Sequence, residues 1–124
     1  MTSDSVYLPN LLEKHSLESF VTELGGIIHQ EFSMVGFLGQ GNDSIQVGIV
    51  DHTDLDWWWN EEDFESERKE IETIMGCKPQ TSILILHGTG HNAHKVAQWF
   101  IAECGARWRN ACWDDHEGTV LPIA

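Results

Sequence analysis

The stretch Ser82-Ile83-Leu84-Ile85-Leu86-His87, Gly88-Thr89-Gly90-His91-Asn92 and Ala93-His94-Lys95-Val96-Ala97-Gln98-Trp99-Phe100-Ile101-Ala102-Glu103-Cys104-Gly105 sets out a strand, a turn and a helix in succession. The unbroken apolar run at 82–87 suits a central strand covered on both faces. Ala93, Val96, Ala97, Phe100, Ile101 and Cys104 recur at i, i+3, i+4, i+7, i+8 and i+11, one face of a helix, and Gly105 stands at its predicted stop. Trp108 to Trp113 reads as a short strand. Residues 82–113 are therefore expected to form a βαβ unit, with a parallel strand pair and a right-handed crossover.

Upstream, Asn60 is the predicted cap of another helix, with Asp63 at the reciprocal position. Phe64, Ile71, Ile74 and Met75 supply its apolar stripe, and Gly76 and Pro79 end it. Before that, alternation from Phe32 to Leu38 predicts a strand and Gly39 to Asp43 a turn. Ile45, Val47 and Ile49 mark the returning strand of a hairpin. Leu17, Phe20, Val21 and Leu24 form one helical face, with Ser16 as cap and Gly25-Gly26 as stop. Residues 1–15, around Pro9, read as an N-terminal arm. Downstream, Thr119 to Ile123 is a further short strand. The pattern contains no internal repeat. It predicts a single α+β domain over 1–124, two-layered, with a mostly antiparallel sheet and helices packed on one face.

A chain of 124 residues fits one domain that buries about two-thirds of its unfolded surface. Twenty Asp and Glu against seven Lys and Arg give a net charge of −13. That charge repels a phosphate backbone and an anionic membrane surface, so neither nucleic acid nor a membrane is an expected partner. No apolar run reaches the roughly 20 residues of a bilayer span. Met1-Thr2-Ser3-Asp4-Ser5 lacks the pattern of a signal peptide, and the cytoplasm is the expected location. Cys77, Cys104 and Cys112 are too few and too scattered for a disulfide framework; buried thiols are the expectation.

The charge is concentrated. Ten of the twenty acids lie in the 22 positions from Asp51 to Glu72, offset only by Arg68 and Lys69. Within them stands Trp57-Trp58-Trp59. Three consecutive tryptophans cannot all enter one core, because neighbouring side chains point in different directions on either a strand or a helix. Simple packing turns Trp57 and Trp59 inward and lays Trp58 along the surface. A functional arrangement keeps at least one as an interface anchor ringed by carboxylates, which select a basic partner. Asp54, Asp56, Trp57, Trp58, Trp59, Glu61, Glu62 and Asp63 are the candidate partner-binding residues. Like charges at i and i+4 (Glu61 and Glu65, Asp63 and Glu67) cost a helix a few tenths of a kcal/mol per pair, which a sequence selected only for stability tends to avoid.

Three motifs could carry chemistry. Gly88-Thr89-Gly90-His91-Asn92-Ala93 matches the local G-x-G-x-x-A template of a dinucleotide site, with Asp114-Asp115 about twenty residues on. The unit starts too late in the chain for the remaining βαβ elements, and a tight strand-to-helix turn explains the glycines. His87, His91 and His94, with His116 nearby, have a spacing that could offer imidazoles to zinc, yet no HExxH pattern supplies a base. Asp51-His52-Thr53-Asp54, with Ser44 or Cys112 as nucleophile, lacks a nucleophile elbow and reads as a turn. No cofactor, metal or catalytic residue is therefore assigned. A small ligand- or metal-binding enzyme built on the Gly88–His94 turn is the alternative reading.

With Trp57-Trp58-Trp59 set among Asp51, Asp54, Asp56, Glu61, Glu62 and Asp63 on a small acidic α+β chain, the sequence resembles bacterial toxin-immunity proteins of contact-dependent, polymorphic or type VI systems. The resemblance lies in general character across the whole chain. It implies a cytoplasmic protein that is not an enzyme and blocks the active cleft of one cognate toxin domain, often a basic nuclease. A homodimer is compatible with it.

Overall fold

In Ser3-Asp4-Ser5-Val6-Tyr7-Leu8 polar residues give way to an unbroken apolar end, and Pro9-Asn10 follows. That is strand and turn chemistry. In the computed structural model this segment is β1 (Ser3–Leu8), an inner strand paired on both sides. The structure describes residues 2–31, 34–50, 55, 59–61, 64–115 and 119–123. The expected N-terminal arm over 1–15 is thus corrected. Val6, Tyr7 and Leu8 are all buried, and a strand apolar on both faces gains most from an interior position in a sheet.

After β1 come α1 (Lys14–Glu23), β2 (Ile27–Glu31), β3 (Met34–Leu38), a 3₁₀ turn (Gly41–Asp43), β4 (Ile45–Val50), α2 (Glu65–Met75), β5 (Thr81–His87), α3 (Ala93–Arg107), β6 (Cys112–Asp114) and β7 (Val120–Pro122). The seven strands form one sheet in the order β2-β3-β4-β5-β1-β6-β7, and every pairing is antiparallel. The chain is a single α+β fold with β5 at its centre. The parallel pair expected from residues 82–113 does not form. β1 lies between β5 and β6, with Val6 opposite both Ile83 and Trp113, so the crossover through α3 skips one strand.

Alternation of side chains divides the core between the two faces of the sheet. On one face, Val6, Leu8, Val35, Leu38, Ile45, Val47, Ile83 and Ile85 pack against Leu17, Phe20 and Val21 of α1 and Ala97, Phe100, Ile101 and Cys104 of α3. On the other, Tyr7, Cys112 and Val120 pack against Ile71 and Met75 of α2, with Leu55. α1 and α3 thus share a face, while α2 covers the opposite face at the β6–β7 end, so the helices expected on one face are divided between two. The narrow stripe of α2 fills only that small second core.

Element ends follow local chemistry with a few corrections. Gly76 closes α2 at φ +77°, a left-handed cap that glycine adopts without Cβ strain. Asn60 does not cap this helix; α2 begins at Glu65 after Phe64, with no side-chain cap, so Glu61 precedes the helix and its expected i, i+4 repulsion with Glu65 does not arise. Ser16 lies inside α1, which starts at Lys14. Gly105 is interior to α3 rather than its stop. A Cβ there would collide with Ile123, and the helix runs on to Arg107, whose guanidinium donates to Glu23 at 2.8 Å and lies 5.4 Å over the Phe20 ring. The strand predicted over 32–38 is β3 alone, with Phe32 outside the described residues, and β2, which the pattern did not predict, pairs with it. A register shift between Met34 and Gly36 lets Val35 and Leu38, of opposite parity, both reach the core.

Candidate functional site

β1 and β5 run side by side, and one pair of polar residues on them is buried. The Asp4 carboxylate, on the α3 face of β1, pairs with His87 Nε2 at the end of β5 and accepts a hydrogen bond from Trp113 Nε1 of β6 at 3.1 Å. The Asp4 and His87 side chains are only 2% and 6% exposed, so the pair sits in a low-dielectric setting where each partner needs the other. Beside it is a cavity of about 160 Å³ lined by Asp4, His87, His94, Gln98 and Trp113. An imidazole oriented by a carboxylate is the arrangement of a general base, but this lining contains no hydroxyl or thiol to serve as nucleophile. The volume is near that of a cavity holding one benzene ring (about 150 Å³) and below the roughly 300 Å³ of ordinary ligand pockets.

The Gly88–Asn92 turn owes its glycines to a close approach between two loops. Gly88 N–H donates to Ser44 O at 2.8 Å and Gly90 N–H to Asn42 O at 2.6 Å. A Cβ on Gly88 would stand 2.5 Å from Asn42 O and 2.6 Å from Ser44 O. Asp43 Oδ1 accepts from Asn92 N–H at 3.1 Å, so a carboxylate already occupies the start of α3 where the dinucleotide template would place pyrophosphate. Gly88→Ala is expected to cost about 1–3 kcal/mol, because backbone carbonyls must move to admit the methyl group. Urea unfolding reads this, and an unchanged midpoint would show the glycine to be dispensable. The histidines also separate: His87 is buried against Asp4, while His91 is exposed and His94 lines the cavity mouth. Among the described residues no three His, Cys, Asp or Glu side chains converge as a metal site.

Of the candidate partner-binding residues, Trp59 and Glu61 are described; Asp54, Asp56, Trp57, Trp58, Glu62 and Asp63 lie outside the described residues, as do Asp51, His52, Thr53 and His116. Trp59 is half-buried and packs against the Tyr7–Ile71–Met75 core, the inward placement that simple packing requires. Arg68 donates from Nη1 to the backbone carbonyls of Trp59 and Glu61, fixing this segment to α2. Lys69 pairs with Glu65 at 3.2 Å. Glu65, Glu70 and Glu72 are exposed, and a groove of about 340 Å³ between α2 and β7 is lined by Lys69, Glu70, Thr73, Ile74 and Val120.

Where α2 meets β6, carboxylates crowd together. Burial, the charge of Glu67 and a hydrogen bond with it push Asp114 up to about 7, with Asp115 and Asp4 adding to the effect. Burial first, then Asp114 and Glu67, raise the Tyr7 hydroxyl. Burial, then Asp114, pushes the Cys112 thiol up to about 12, and burial, then Glu103, raises Cys104. Both thiols are held protonated and inert, as expected of buried cysteines; Cys77, by contrast, is exposed. Because Asp114 is raised in the folded state, its favourable contribution is complete below the ordinary carboxylate range and is lost as pH rises through about 7. Asp114→Asn is therefore expected to stabilise the protein by about 1–2 kcal/mol at pH 8, discounted because the group is half-exposed, and by almost nothing at pH 4. A stability difference that stays flat between those pH values would refute the assignment.

Sequence reasoning missed Asp4 as part of a site because residues 1–15 were read as an arm. The unbroken apolar run Val6-Tyr7-Leu8 before Pro9 is the available signal. No described helix is long and apolar enough to cross a membrane. Neither the family models, nor the curated proteins, nor the solved structures offer a match to this chain.

Proposed function

We propose that this chain is a non-enzymatic binding protein of the bacterial cytoplasm that neutralises a cognate basic toxin domain by covering its active cleft. One observation carries the reading: the two cations inside the acidic stretch are already committed. Arg68 is turned onto the Trp59 and Glu61 carbonyls, and Lys69 is held by Glu65. The remaining carboxylates of this region outnumber the cations and face solvent at Glu70 and Glu72. Such a surface steers and selects a positively charged protein, with Trp57 or Trp58 supplying an anchor.

The test is capture from the native host's lysate by the wild-type chain and, in parallel, by a Trp58→Ala/Glu62→Lys variant, with bound proteins identified by mass spectrometry. One basic protein retained by the wild type alone, and inhibited by it when purified, is the expected result. Equal capture, or none by either, overturns the reading. The second reading, a small-ligand enzyme, is favoured by one feature only, the buried Asp4–His87 pair beside its cavity.

A further inference from the structure

β2 is an edge strand open to solvent, interrupted by one register shift between Ile28 and Glu31. All five of its residues are exposed, including Ile27 at 69% and Ile28 at 38%. It pairs with β3 on one side, and among the described residues nothing pairs with the other. Backbone N–H and C=O groups along such an edge are a template for another strand. Proteins commonly guard an edge with lysine, proline or brevity. The opposite edge, β7, has three residues and includes Pro122. β2 has neither lysine nor proline. Its guard is acidic instead.

The carboxylates are placed along it. Ile27 lies opposite Phe37, and the His29 ring contacts Phe37 at 5.7 Å, so Ile27 and His29 share the face that α1 does not cover. Glu31 stands next to His29, at 3.6 Å, with its side chain 61% exposed. On the other face, Gln30 donates to Glu18 of α1. The edge thus offers aliphatic side chains at one end and carboxylates at the other. A second copy of this chain carries the same acidic guard and a net charge of −13, and is repelled. A cationic strand is not.

We infer that the outer edge of β2 receives an extended, basic segment of the partner protein, which joins the sheet as an added strand beside Ile27–Glu31. Backbone hydrogen bonds supply the pairing, Ile27 and Ile28 take aliphatic side chains, and Glu31 and Glu18 take lysine or arginine. This rests on the proposal of a basic partner, and it places a contact at the end of the sheet remote from α2.

The test titrates the intact, ¹⁵N-labelled protein with acetyl-Lys-Val-Lys-Val-Lys-Val-Lys-amide, with a copy N-methylated on alternate residues, and with a copy carrying Glu for Lys. The expected result is saturable shifts confined to Ile27–Glu31 and its β3 neighbours, with binding about tenfold weaker for each altered peptide. Ile27→Lys and Glu31→Lys, both at exposed positions, weaken the basic peptide similarly, while Glu70→Lys/Glu72→Lys leaves it unchanged. Shifts on α2 instead overturn the edge assignment while preserving the acidic-helix reading. Equal binding of the N-methylated copy overturns strand addition. A doubled mass in sedimentation without peptide identifies a second copy as the occupant and overturns it too. Absence of specific shifts at about 1 mM peptide does the same.

Discussion

Asp4→Ala is expected to lower stability by about 3–5 kcal/mol, because it takes the shared acceptor from two buried ring nitrogens, each loss worth about 1–3 kcal/mol. The variant strips His87 Nε2 and Trp113 Nε1 of the same acceptor, and neither can be rehydrated without opening the joint between β5, β1 and β6. For a chain of this length that loss corresponds to about 11–19 °C in the melting temperature. Asp4→Asn keeps the shape and one acceptor oxygen, and is expected to fall between the two. Calorimetry or thermal circular dichroism on the three proteins checks the order. A wild-type midpoint for Asp4→Ala would mean that the pair is wet and weak, and the cavity beside it would lose its claim to a preorganised imidazole. The experiment thereby bears on the enzyme alternative without requiring a substrate.

Phe100→Ala is expected to cost about 3–5 kcal/mol by loss of burial and creation of a void. Phe100 is fully buried, its ring centroid 5.7 Å from that of Phe20, which in turn meets Trp108 edge-on at 4.9 Å. The ring therefore joins α3 to α1 over the sheet, and an alanine leaves both helices facing a gap that the strands cannot close. Phe100→Leu, which refills most of the volume, is expected to recover more than half of the loss. Chemical denaturation with unchanged slope reads both values. A loss below about 1 kcal/mol for alanine would place the joint elsewhere. Neither substitution touches the acidic surface or β2, so any folded fraction should bind a partner as the wild type does.

The two proposed partner contacts lie at opposite ends of one sheet, α2 on β6–β7 and the open edge at β2. A single basic partner that reaches both must span the sheet; one that reaches only one leaves the other set of substitutions silent. The charge reversals at Glu70 and Glu72, and the Ile27→Lys and Glu31→Lys substitutions, therefore separate the contributions, and additivity is expected because the sites share no neighbour.

Periodicity in the chain was enough to read α3, the strand at β5, the hairpin from β3 to β4 and the stop at Gly76, because each depends on residues a few positions apart. The α+β class and the antiparallel character of the sheet followed from those elements. The candidate site was less legible. Trp59 and Arg68 look alike in sequence to any exposed aromatic and cation, yet packing turns the first into the second core and the second onto backbone carbonyls. Asp4 and His87 are 83 residues apart, and no local pattern links them. The place of β1 between β5 and β6, and of α2 on the far face, was decided only in the tertiary structure. Local spacing determines which residues form a strand or helix; which strand lies beside which depends on the surface each buries against distant parts of the chain.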